Sequence, residues 1–185
     1  VCRQYKNYSD YLLSLEMKAV IEGFRSVYIP RITQLTNKSN QFNLTTKRYT
    51  QQEIERVGND ENHICLYGRL IDKFGDNGIV SVVIGRIEDS ALHIELWLMS
   101  CRVLKRDMEF AMLDSLVQEC QKRNIKDIYG YYYRTKKNAM VSNLFGQFSF
   151  EQLEADENES KWKLDLSGYI NKNKVIRVEE GEMAI

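Results

Sequence analysis

At 185 residues, with 26 Lys plus Arg against 26 Asp plus Glu and 43% hydrophobic residues, the chain is sized for one globular domain with a full core, which argues against disorder. Its zero formal net charge argues against a dedicated nucleic-acid binder, which needs a basic excess to displace counterions from phosphates. Four cysteines without a C-x-x-C pair and two separated histidines point away from a metal site or a disulfide scaffold, and the lack of a long apolar run or signal-peptide core predicts a cytoplasmic protein without a membrane partner.

The chain starts at Val1 within a segment that places Tyr5, Tyr8, Tyr11 and Leu12 at helical spacing, with Ser9 as the expected cap, so it reads as part of something longer. From Leu15 the period changes to the alternation of a half-buried strand, through Met17, Ala19 and Ile21 to about Gly23. Pro30 opens a short helix with Ile32, Leu35 and Thr36 on one face, and the polar string from Asn40 to Thr46 reads as a loop. Thr50 with Glu53 three residues on is a capping box for a helix over about 51–58.

Runs rich in Ile, Leu, Val and Tyr over 64–72 and 79–87 flank a turn at 74–78 containing Asn77-Gly78, which predicts a hairpin, and a third antiparallel strand runs from Leu92 to about Met99. The stretch 107–123 sets Met108, Met112, Leu113, Leu116, Val117 and Cys120 on one face and closes at Asn124, a good helix-ending residue. A strand over 125–133, a helix over 138–148, an acidic loop over 154–159 and a strand over 162–166 follow. The expected division is one α+β domain over 1–170 and a polar, frayed tail over 171–185, in which Val175, Ile176 and Val178 can add an edge strand.

Three stretches carry a family resemblance: Arg31 to Tyr49 with its Asn-Gln-Phe-Asn-Leu-Thr-Thr string, Lys73 to Gly78, and Trp97 to Leu104. With them the chain resembles the C-terminal half of FkbH-like proteins, a GNAT-like (N-acetyltransferase-like) domain that follows a HAD-type phosphatase-like domain. The resemblance implies a mixed, mainly antiparallel sheet flanked by helices and a place in methoxymalonyl extender-unit biosynthesis for polyketides. It further implies two partners, an acyl carrier protein and the HAD-like domain, and a coenzyme A or phosphopantetheine thioester as ligand. The Asp-x-Asp motif of the HAD half is absent from this sequence.

A GNAT-type loop, Arg/Gln-x-x-Gly-x-Gly/Ala before the long helix, implies a pyrophosphate cradle, for which glycine permits the sharp turn and the close approach. Here the segment runs from Arg102 through Val103, Lys105 and Arg106 to Asp107, with Lys105 and Asp107 at the glycine positions; Asp107 is expected to cap the helix with its side chain. The late-helix pattern implies that Asn138 contacts the cofactor, while Phe145 stands where a tyrosine would protonate the leaving thiolate. Tyr131, Tyr132 or Tyr133 is the alternative acid, His93 a candidate base and Cys101 a candidate nucleophile. Substrate contacts are expected from Asn40, Gln41, Asn43, Thr45 and Arg48 in the polar loop and from Trp97; the catalytic residue itself stays open. The readings are an acyl-thioester or phosphopantetheine-binding acyltransferase-like domain, an active acyl-CoA N-acyltransferase, or a non-catalytic domain that shapes its HAD partner.

Overall fold

A computed structural model describes residues 6–179. Tyr5, the other residues before Lys6, and the tail after Glu179 lie outside the described residues. The elements are α1 (Tyr8–Ser14), β1 (Lys18–Gly23), α2 (Ile29–Lys38), α3 (Gln51–Gly58), β2 (His63–Asp72), β3 (Gly75–Glu88), β4 (Ala91–Met99), α4 (Met108–Lys122), β5 (Asp127–Tyr133), α5 (Leu144–Gln147), β6 (Glu151–Ala155), β7 (Glu159–Asp165) and β8 (Arg177–Glu179). They form one eight-stranded sheet in the order β6-β7-β5-β4-β3-β2-β1-β8.

The pairings are antiparallel except β4 with β5 and β1 with β8. Alternation along the strands divides the core. One face packs Met17, Ala19, Leu66, Val83, Leu92 and Trp97 with the buried side of α4 and the Phe145–Phe148–Phe150 cluster. The other packs Tyr67, Val82, Ile84, Leu96 and Leu98 under Ile32 and Leu35 of α2 and Ile54 of α3. This three-layer arrangement is the predicted α+β class.

Local chemistry explains most boundaries. The Thr50–Glu53 capping box forms as predicted, with reciprocal bonds of 3.1 Å. Asn124 takes a left-handed φ of 57° after α4, and Ile125 N–H reaches back to Cys120 O at 2.9 Å, the C-terminal closure the sequence indicated. At Gly68 an added Cβ would stand 2.5 Å from Met108, so glycine lets α4 lie against β2.

Four expectations need correction. The cap of α1 is Asn7, whose side chain accepts from Asp10 N–H, not Ser9. The β2–β3 turn is the pair Lys73-Phe74, and Asn77-Gly78 is instead absorbed in β3, where the register slips and Gly78 takes φ of 70°. The helix expected over 138–148 is a 3-10 turn at Ala139–Val141 and the four-residue α5. The segment after 170 is anchored as far as it is described: Asp114 accepts from Tyr169 Oη at 2.5 Å and from the backbone N–H groups of Lys172 and Asn173 at 2.9 Å, and Ile176 is buried. The edge strand expected near Val178 forms beside β1.

Candidate functional site

The parallel strands β4 and β5 pair only through Ala91 to His93 and Asp127 to Tyr129. Beyond that they part toward their carboxyl ends, and β4 leads through residues 100–107 into α4. In sheets with parallel strands such a crevice is where ligands bind. Three features around it decide what can bind: the loop before α4, the crevice, and the sheet surface beside it.

In the loop, Lys105 and Asp107 take φ of 64° and 65°, the left-handed region that glycine favours. Both positions thus hold the backbone region that glycine favours, without glycine. Asp107 stands at the N-cap position but its side chain makes no capping bond, a correction to the expected cap: its backbone is left-handed, where a capping residue is extended. That turn is nonetheless served by Glu109, whose carboxylate faces its own backbone N–H and has one oxygen buried without a partner. Burial raises both carboxyl pKa values. Arg106 bonds the buried Asp72 at 2.5 Å, and Tyr8 Oη donates to Lys105 O. Arg102 remains exposed, with a long 3.5 Å bond to Asn77 O, while Val103 is buried.

The crevice is filled from within the chain. Leu44 N–H bonds Trp97 O at 3.1 Å, Met99 N–H bonds Phe42 O at 3.0 Å, and Asn43 bridges Leu98 in antiparallel sense. On the opposite side Tyr133 N–H bonds Leu44 O at 2.9 Å. Residues 42–45 thus supply the strand that β4 and β5 lack where they diverge.

Asn138 secures this insert. Its Nδ2 donates to Asn43 O and Tyr133 O, both at 2.9 Å, and its Oδ1 accepts from Thr135 N–H at 2.8 Å and Tyr132 Oη at 3.1 Å. All four bonds open to an amide side chain are made, and Asn138 and Asn43 are fully buried. Arg48 clasps the base of the insert through Thr36 O, Ser39 O at 2.9 Å and Asn40 Oδ1. Gln41 accepts from the exposed Cys101 thiol at 3.2 Å. Trp97 is buried on the α4 side, stacked on Phe148 at 5.3 Å, so it belongs to the core and lines no groove. Phe145 is buried in the same cluster, where its ring lies on Gly130.

On the other face of the same strands a cleft of about 470 Å³ is lined by Thr45, Lys47, Arg86, His93, Ile94, Glu95, Tyr131 and Tyr133. Here the structure joins two residues the sequence offered separately: His93 Nδ1 and Tyr131 Oη are 2.7 Å apart. Burial, reinforced by Arg86, lowers the His93 pKa, and burial raises that of Tyr131, so both are neutral near pH 7. Glu95 is the extra residue of a bulge between Ile94 and Leu96, and bulges re-aim side chains. Its carboxylate meets His63 Nε2 at 3.2 Å and Lys47 Nζ at 3.6 Å, while its backbone carbonyl accepts from Thr45 Oγ1 at 2.7 Å. Asp60 holds the other ring nitrogen of His63 at 2.7 Å. Sequence reading missed Glu95, His63 and Lys47, since neither the bulge nor the contact across strands leaves a local signal.

Among the described residues no group of three or more His, Cys, Asp or Glu side chains is placed to hold a metal, and no helix is long and apolar enough to cross a membrane. Neither a protein-family model nor a curated protein sequence matches the chain. Solved structures do. The ribosomal-protein-S18-alanine N-acetyltransferase of Escherichia coli superposes with a TM-score of 0.61 at 11% identity, over 84% of this chain and 99% of that one. The PaiA N-acetyltransferase of Thermoplasma acidophilum, solved with coenzyme A, gives 0.58 at 11% identity over 80% and 99%. The spermidine N-acetyltransferase of Vibrio cholerae, solved with CoA and spermine, gives 0.61 at 10% identity over 81% and 96%. The chain therefore has the fold of the GNAT acetyltransferases, as the sequence predicted.

Proposed function

We propose that the chain is the acyltransferase-like half of an FkbH-like biosynthetic protein, and that its open cleft receives an acyl unit carried as a thioester on the phosphopantetheine arm of an acyl carrier protein. The observation that carries this reading is the neutral His93–Tyr131 pair in an accessible cleft beside the point where β4 and β5 part. With the ring proton on Nδ1, His93 Nε2 is free to take a proton from an acceptor. The Nδ1 proton then passes to Tyr131, and the phenol releases its own to the departing thiolate. No net charge is left in the cleft.

Free acyl-CoA is served less well. The amino end of α4, where a pyrophosphate would sit, is lined by the Asp107 and Glu109 carboxyls, whose charge opposes a polyphosphate. A carrier-borne arm needs no such cradle, because its phosphate remains on the carrier. The FkbH-like resemblance supplies the substrate class, a glyceryl or related acyl unit on the route to methoxymalonyl extender units, with the HAD-like domain loading it.

The test is titration of the chain with holo and apo carrier protein, together with single-turnover transfer by His93→Gln and Tyr131→Phe. Tighter binding of the holo form and a rate loss of about 100-fold in each variant are expected. Equal, negligible binding of both carriers would sink the reading. If deleting the domain then lowers the activity of the HAD-like half while His93→Gln does not, the non-catalytic role stands in its place.

A further inference from the structure

We infer that residues 42–45 are a built-in stopper of the β4–β5 crevice and that Asn138 is its latch, so that no ligand threads through the sheet and the His93 cleft opens only on the face that α2 and α3 share. The inference rests on the proposed function only in naming that cleft as the place of reaction.

The diverging strand ends expose the edges of β4 and β5, and such edges accept an extended chain by backbone hydrogen bonding. An arm with amide groups spaced along it, such as pantetheine, would bond where Phe42 O, Leu44 N–H and Leu44 O now bond Met99, Trp97 and Tyr133. The insert and such an arm therefore compete for one set of partners. Leu44 and Asn43 are fully buried, and Phe42 is 6% exposed.

Displacing the insert would also orphan Asn138. Its two donors are divided between Asn43 O on the insert and Tyr133 O on β5, so one amide ties the two sides of the crevice together. Asn43 adds ties of its own, donating to Ser39 O at 3.1 Å and accepting from Thr46 N–H at 2.9 Å. Thr45 ends the insert at the bulge carbonyl of Glu95, on the roof of the cleft. The stopper thus separates the α4 loop from the cleft and forms part of the cleft wall.

Amide hydrogen exchange on the intact chain, with and without millimolar pantetheine or acetyl-CoA, tests this directly. In the wild type Leu44, Met99 and Tyr133 amides are expected to exchange slowly, and neither compound is expected to change them. Asn138→Ala should speed exchange at these three amides about tenfold or more while leaving the β2–β3 ladder unchanged. Should Asn138→Ala fail to fold, Thr45→Val, which removes one bond, reads the same three amides with a smaller change. Faster exchange at Leu44 with retained protection at Met99 and Tyr133 when pantetheine is added to the wild type would show the arm replacing the insert, and would overturn the inference. Unchanged exchange in the folded variants would overturn the latch. Loss of carrier-protein binding alone would count against the proposed function and leave these amides unaffected.

Discussion

From His93 to Met99, the edge that β4 presents to β5 and the face it presents beside α3 are finished in opposite ways. Along the edge, Trp97 O, Met99 N–H and Tyr133 N–H, left by the parting of β5, are met by Phe42 and Leu44 of the insert, and the insert is locked by a fully bonded asparagine. On the face, a histidine, two tyrosines, a bulged glutamate and two cations surround unfilled space. Buried backbone polar groups are costly unless paired, so a fold that does not use its crevice has to fill it with its own chain. Titratable side chains at a solvent-facing cleft carry no such demand. Their clustering is therefore the feature that stability does not explain, and it marks the face rather than the crevice as the place for chemistry.

If that contrast holds, substitutions in the crevice act on stability and substitutions in the cleft act on function. Asn138→Ala should cost most, about 4 kcal/mol in chemical denaturation, because it strands several buried groups at about 1–3 kcal/mol each. Leu44→Ala should cost about 3 kcal/mol through the cavity it leaves. Gly130→Ala should cost about 2 kcal/mol, since the new methyl would stand 2.5 Å from the Phe145 ring. A loss below about 0.5 kcal/mol for either crevice residue would show the insert to be loosely held and would erase the contrast. Tyr131→Phe on the cleft side should leave the denaturation midpoint within about 0.5 kcal/mol of the wild type, as expected for a partly exposed residue outside the core.

The elements were legible where the sequence carries a local period, composition or cap: the alternation of β1, the Ile-, Leu- and Val-rich runs of β2 and β3, the apolar stripe of α4, and the Thr50–Glu53 box. The hairpin turn was misplaced because Asn77-Gly78 suits a turn and a bulge equally well, and only the register between strands distinguishes them. The site was less legible. Asn40, Asn43 and Thr45 look like ligand contacts since polar side chains in a row normally face solvent or substrate, and the GNAT-like pattern implies Asn138 as a cofactor contact. Their partners lie within the chain, and those of Thr45 and Asn138 include backbone carbonyls 50 and 95 positions away, which no local pattern announces. The left-handed turn at Lys105 was equally hidden, as lysine does not favour that conformation, and that at Asp107 was masked because an aspartate before a helix reads first as a side-chain cap. What the residue types did offer, a histidine and a tyrosine on different strands, became informative only through the pairing of β4 with β5.

The weakest effect separates the two regions most finely, because it is read through protons rather than contacts. His93 titrates below the ordinary histidine value of 6.5, chiefly because it is partly buried, with Arg86 and Lys161 adding to the depression against Glu88 and Glu95. As pH falls past 6.5, the unfolded chain takes up a proton that the folded chain refuses, so more protons are bound in the unfolded state and stability drops. The drop ends once pH passes the lower folded value and both states are charged. His93→Phe removes this step, so denaturation midpoints measured from pH 7.5 downward should fall less steeply in the variant than in the wild type. Asn138→Ala, which alters no titrating group, should shift the whole curve down while keeping the wild-type slope below pH 6.5. Equal slopes for wild type and His93→Phe would mean that the cleft does not hold its imidazole neutral, and the proton relay from His93 to Tyr131 would lose its starting state.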